Sequence, residues 1–335
     1  MKRHIQAMKT SLMSILRMSL VLALCAGFTA CNQGGTVEGK VADARARNDG
    51  PAIWYVRDDD STLYLFGTVH LLSPDINWHR DELRNIFRQS GTVFFEVDTG
   101  DAGQLSANVL TQSLGFYKNG RRLSDKLDSY QLKLLEAASH NGNIKLSVLE
   151  SMTPWLASEF LTIAAAANAG LSPEVSADEA LKSRAAQQRK NIIYLDTMEE
   201  QILRTAEQDE VTHMALLSDT LEGFNTLGRD LTNIAQAWSV GQTHYLTEKV
   251  IMAVQERSPE IYRTLFVDVN KKWAPALTQF MESNGTGFAA VGTGHLLGDD
   301  SLQALLREQG YEVGRYYAFK GEAVIAPSPL EGIEY

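Results

Sequence analysis

The sequence predicts an α/β fold, α+β-like in its segregation: a central, mostly parallel sheet with a large helical insertion. Three observations lead there. Strand–helix–strand patterns occur at both ends of the chain, and the middle, from Gln104 to about Gln255, is patterned mostly as helix. Neither end holds enough strands for a stable sheet of its own, so the two ends share one. The expected organisation is a single domain over residues 51–325, preceded by a signal peptide (1–30) and a tether (31–50), and followed by a tail (326–335).

Each element has a local reason. Ile53 to Arg57 and Thr62 to Phe66 are β-rich runs joined by Asp58-Asp59-Asp60-Ser61, a hairpin signal. A helix from Trp78 to Arg88 and a strand from Thr92 to Val97 follow. In the helical middle, Gly142 closes a helix that begins near Asp125, while Thr153-Pro154 and Ser258-Pro259 read as N-cap and first helical residue. Ser176 with Glu179 and Thr197 with Glu200 have capping-box spacing, and between them Asn191 to Leu195 reads as a short buried strand. The chain closes with a strand from Phe288 to Val291, a helix from Ser301 to Gln309 stopped by Gly310, and a strand from Tyr311 to Tyr317. Trp155, Trp238 and Trp273 are expected in the core, and His79, His140, His213 and His244 at the surface.

Composition narrows the function classes. The chain has 335 residues, 44% of them hydrophobic, with 31 Lys+Arg against 41 Asp+Glu, which argues against a nucleic-acid partner. Two cysteines cannot form a disulfide scaffold or a four-thiolate metal site. Lys2, Arg3, Lys9 and Arg17 precede a short apolar run, Met18 to Ala30, with no acidic residue before Glu38. That is a signal peptide, with Met1 or Met8 as its start. The run ends in Phe28-Thr29-Ala30-Cys31, which resembles a lipobox, so Cys31 is expected to carry lipid and tether the chain to the outer membrane on its periplasmic side. Ordinary cleavage near Ala30, leaving a free thiol, is the alternative. Removing the signal takes the net charge from -10 to -14, since four basic residues leave with it. Cys25 leaves too, so any metal site must be built from His and carboxylate.

The chemistry lies in a repeated phrase. Gly67-Thr68-Val69-His70 and Gly292-Thr293-Gly294-His295 each directly follow an apolar strand. Chance would supply one such phrase about once in a few tens of chains this size, and two far more rarely. Glycine at a strand end permits a sharp turn or a close backbone approach, and the histidine then projects from the carboxyl edge of the sheet, where open α/β folds bind ligands. Two such imidazoles could meet at one metal ion or one reacting group. A third strand offers Glu96, a carboxylate costly to bury without a partner.

With Trp54 and Leu63-Tyr-Leu-Phe ahead of the first phrase, Phe95-Glu96-Val97-Asp98, and Leu296-Leu297-Gly298 after the second, the chain resembles the TraB/GumN family. Weaker matches are Pro154-Trp155, Asp178 with Leu181, Leu195 to Gln201, Asn270 with Trp273, and Gly310 to Val313. The resemblance implies a fold like that of the ChaN and erythromycin-esterase groups. It also implies, from the TIKI branch, divalent-metal-dependent proteolysis in which the paired histidines and the glutamate are essential. Two positions depart from the pattern: Val269 stands where the family usually has arginine, and Asp196 replaces a glutamate. Arg263, a helical turn earlier, is a possible substitute for that arginine.

The leading expectation is therefore metal-assisted hydrolysis, with a peptide or small molecule as substrate. His70, Glu96 and His295 would hold Mn, Co or Zn, or Glu96 would be the general base and Asp178 would complete the metal shell. Gly67, Gly292, Gly294 and Asn270 would line the site. A non-catalytic haem or metal carrier is the competing class. A dinucleotide site at Gly292 to Gly298 is the least favoured, because too little chain follows it.

Overall fold

The structure, a computed structural model, describes residues 50–319 and 322–323. The expected signal peptide, Cys31, the expected tether up to residue 49 and the expected 326–335 tail lie outside the described residues.

Strands β1 (Ile53–Arg57) and β2 (Ser61–Thr68) form the expected hairpin. One carboxylate holds its turn: Asp58 Oδ1 accepts from the backbone N–H and the hydroxyl of Ser61 at 2.8 and 2.6 Å. Helix α1 (Asp81–Gln89) begins after Trp78 rather than at it, because the indole turns inward from the loop and packs on Phe66 and Trp238. Strand β3 (Thr92–Phe95) ends two residues before Val97, so the chain is already leaving the sheet at Glu96.

The insertion comprises α2 (Asp101–Leu114), α3 (Ser129–Asn141), α4 (Pro154–Asn168) and α5 (Ala177–Gln187). Helix α3 begins at Ser129 and not near Asp125. Asp128 accepts from the N–H groups of Tyr130 and Gln131, both at 2.8 Å, while Leu123–Lys126 forms a separate 3-10 turn. Strand β4 (Asn191–Tyr194) is an edge strand exposed at both ends, not a buried one, since β3 is its one neighbour. Helices α6 (Met198–Ala206) and α7 (Glu210–Ser239) follow, α6 opening on the complete Thr197–Glu200 capping box. Short helical turns, two of them π-helical (Thr247–Met252 and Arg263–Val267), lead into α8 (Asp268–Met281). Strand β5 (Gly285–Gly292), helix α9 (Leu302–Glu308) and strand β6 (Glu312–Tyr316) complete the domain, and β7 (Ala318–Phe319) pairs with β8 (Glu322–Ala323).

The six-stranded sheet has the order β4-β3-β5-β2-β1-β6. Strands β2, β5, β3 and β4 run parallel, and β1 alone runs against its neighbours. With β6 running in the same direction, five carboxyl ends therefore open on one edge. One face buries Phe66, Phe95 and Phe288 under α1, α5 and the second half of α7; the other buries Leu65, Phe94 and Ala289 under α8 and α9. A third cluster, with Trp155, Leu161, Leu217 and Phe224, is the core of the inserted helices. Helix α7, about 45 Å long, serves both, giving Leu217, Leu221 and Phe224 to the bundle and Ile234, Ala235 and Trp238 to the sheet. His213, expected at the surface, is buried there, with Nε2 2.7 Å from the carbonyl of Thr205. Among the described residues no helix is long and apolar enough to cross a membrane.

Candidate active site

Strands β2 and β5 are parallel neighbours, with Thr68 paired to Gly292, so the two Gly-Thr-x-His phrases leave the sheet side by side. Their threonines tie them together. Thr293 Oγ1 donates to the Thr68 carbonyl at 2.8 Å, and Thr68 Oγ1 donates to Asp178 Oδ1 at 2.6 Å. From α7, the Trp238 indole N–H donates to the Gly67 carbonyl at 2.7 Å. Glycine at position 67 answers to space, not to a sharp turn: a Cβ there would lie 2.8 Å from Thr293 Oγ1. At Gly294 a Cβ would collide with the Phe266 ring.

Glu96 emerges from β3 between the two phrases and α6. Its Oε1 accepts the Gly292 N–H at 2.5 Å, and its Oε2 accepts the Gln201 amide at 2.9 Å. His295, on the 3-10 turn Thr293–Leu296, is fully buried, with its ring 4.4 Å from that of Trp273 and 5.6 Å from that of Phe266. Its Nδ1 lies 2.8 Å from Asn270 Oδ1. The Asn270 amide N–H groups go to the carbonyls of Asp300 and His295, so the amide oxygen must face the ring and accept. Nδ1 therefore carries the proton, and the Nε2 lone pair is left without a hydrogen-bond partner, 3.9 Å from Glu96 Oε1. Two acceptors thus face each other inside the protein.

His70 pairs with Asp178 at the start of α5, Nδ1 to Oδ2 at 3.0 Å. Ser176 caps that helix through the Glu179 N–H. The contact is an ion pair whose angle leaves Oδ2 without a hydrogen-bonded donor. Burial pulls the His70 imidazole down, but the Asp178 carboxylate, with Glu96 behind it, pushes it up to about 9. Burial pushes Asp178 up, and His70, Lys182 and Thr68 overcome this to hold it at about 2. Burial, reinforced by the Asp178 charge, raises Glu96 above the usual carboxylate range against His70 and its two hydrogen bonds. Burial, with the positive charges of Arg204 and His70, lowers His295 to about 3. The resting site is a charged His70–Asp178 pair beside a neutral His295.

Every residue expected in the site, other than Cys31, is in or beside this cluster, with Asp178 held behind His70. The donor pairs stand at 3.0 and 3.9 Å. Among the described residues, no three His, Cys, Asp or Glu side chains are gathered into a ready metal cage. Arg263 does not substitute for the missing arginine: it is exposed and paired with Glu260 and Asp268. Val269 is buried in the apolar layer with Leu195, and the fully buried Asp196 carboxylate is met instead by Lys272, at 2.6 Å, and by Arg204. The dinucleotide reading fails because Gly292 opens a 3-10 turn and the helix begins only at Leu302. Sequence reasoning missed Thr68, Thr293, Gln201 and the hydrogen bond from Trp238. The repeated threonine was the one available signal.

Residues 52–315 match the model of the TraB/PrgY/gumN family. The chain belongs to this family. It is 25% identical over 257 residues to the uncharacterized protein YbaP of Escherichia coli (strain K12), covering 77% of this chain and 92% of the relative. YbaP of Shigella flexneri matches over the same length at the same identity. No solved structure matches the chain. Within this TraB/PrgY/gumN chain, the matched span takes in both Gly-Thr-x-His phrases, Glu96, Asp178 and Asn270, which the fold brings to one sheet edge.

Proposed function

We propose that the chain is a divalent-metal-dependent hydrolase, with a peptide bond as its leading substrate, held by lipid on Cys31 at the periplasmic side of the outer membrane. The observation that carries the reading is the buried Nε2 lone pair of His295 facing the Glu96 carboxylate with no proton donor between them. Two buried acceptors in that relation call for a positive charge, a proton on Glu96 or a cation between them, and a divalent ion satisfies both at once. The donor set fits one: His295 has its tautomer set by Asn270, and His70 has Nδ1 engaged by Asp178, the arrangement in which a carboxylate or amide orients a ligating imidazole. His70, Glu96 and His295 would hold the ion, Mn²⁺, Co²⁺ or Zn²⁺ being suited to such ligands. The ion would supply Lewis acidity for polarising a carbonyl and activating water.

The chain's own residues do the rest. Asn270 keeps His295 neutral and aimed, and Asp178 fixes the His70 ring while Thr68 fixes Asp178. Glu96, held by the Gly292 N–H and Gln201, has the raised proton affinity needed to take a proton and return it. The haem alternative fits less well, because His295 is fully buried against Trp273 and Phe266.

Metal analysis of the purified full chain tests the reading. The wild type should retain about one divalent ion, and His70→Ala and His295→Ala should each lose it. A peptide screen with Mn²⁺ or a chelator should show cleavage only with metal. Equal metal content in all three proteins overturns the reading.

A further inference from the structure

An apolar cavity of about 60 Å³ adjoins the site. Val69, His70 and Gly294, each partly exposed, form its mouth. Its depth is lined by Leu231, Ile234 and Ala235 of α7 with Val250, Phe266 and Leu297, all buried. Two features mark it as built rather than incidental. Val250 and Phe266 come from the two π-helical segments, and π turns are rare and concentrate at functional sites. The bare Cα of Gly294 lets the Phe266 ring close against the second phrase. The polar cleft lies on the other side of His70, with Glu96, Asp178, Lys182 and Gln201 around it. The same imidazole thus borders an apolar recess and the candidate reacting groups.

We propose that the cavity is the side-chain subsite of the hydrolase and takes a short branched aliphatic side chain, such as leucine or valine, beside the scissile bond. The proposal rests on the hydrolase reading above. Size and chemistry select the occupant. A dry hole of roughly 150 Å³ holds a benzene ring, so about 60 Å³ suits a few methyl groups and is too small for a fatty-acyl chain. The apolar lining leaves a charged side chain without a partner.

The test uses the full-length chain with labelled Ile, Leu and Val methyl groups. N-acetyl-leucine amide should shift the methyl resonances of Leu231, Ile234 and Val250, and bind about tenfold or more tightly than N-acetyl-glycine amide. Ala235→Phe, which fills the cavity from α7, should remove that preference. Ile234→Ala, which enlarges it, should move the preference toward N-acetyl-phenylalanine amide, so misfolding of one variant leaves the other decisive. Equal affinity for the leucine and glycine amides, shifts confined to other methyls, or binding of decanoate in place of the leucine amide overturns the proposal. Metal content measured on the same samples separates the two readings. A chain that binds an ion but not the leucine amide loses the subsite and keeps the hydrolase. One that binds the amide without an ion keeps an apolar ligand site and loses the hydrolase.

Discussion

Asn270 Oδ1 accepts the Nδ1–H of His295 across 2.8 Å, and its amide group is in turn tied to the carbonyl of Asp300 at the same distance. One side chain on α8 therefore decides which ring nitrogen of a buried histidine is free. Asn270→Ala should cost about 1–3 kcal/mol of stability through the unpaired buried groups. It should also weaken Mn²⁺ or Zn²⁺ binding about 10–100-fold, measured by competition with a chelator.

The His70–Asp178 pair sets a pH window. His70, raised to about 9, contributes stability that is complete below its usual 6.5 and lost as pH rises through 9. Asp178, lowered to about 2, contributes stability present above its usual 3.8 and lost as pH falls through 2. In chelator-treated protein, an NMR titration should place the His70 midpoint near 9. In Asp178→Asn, where burial and the Lys182 charge are opposed only by Glu96, it should fall below 6.5.

Thr293→Val preserves shape but removes the hydroxyl that donates to the Thr68 carbonyl. A buried acceptor without its donor costs about 1–3 kcal/mol, read as a lower denaturant midpoint at unchanged m-value. Because this bond joins the two phrases, metal affinity should fall as well. A variant of wild-type stability would show that the threonine tie is dispensable.

Glu159 lies on α4 in the helical bundle, with Oε1 buried and unpartnered, and burial pushes its carboxyl up to about 8. Its protonated form is favoured by folding, so its contribution is complete below the usual 4.5 and lost as pH rises through 8. Glu159→Gln should raise the melting temperature at pH 8–9 and leave it nearly unchanged at about pH 4. Parallel melting curves for the two proteins across that range would contradict this.

Much of the fold was legible because its signals are local. The hairpin turn at Asp58–Ser61, the caps at Ser176, Thr197 and Pro154, and the Gly310 stop, at φ +96°, all depend on neighbours within a few residues. Misreadings fell where a distant contact overrode the local pattern. Trp78 was drawn out of α1 by Phe66 and Trp238, β4 was left at the sheet edge, and His213 was buried by the approach of Thr205. Arg263 looked available from helical spacing alone, yet its face of the helix meets solvent.

By itself the sequence determined the strands that lead to His70, Glu96 and His295, because an apolar run, followed in two of the three by Gly-Thr-x-His, is written within eight or so residues. Only the tertiary structure decided that these ends meet. Strand β5 inserts between β2 and β3, bringing Thr293 to Thr68, although about two-thirds of the chain separates them. It also decided that Asp178 stands behind His70, that Asn270 directs His295, and that Val250 and Phe266 enclose a cavity beside them. Strand order and side-chain register are settled by packing two apolar faces at once, a condition on the whole chain that no local pattern contains.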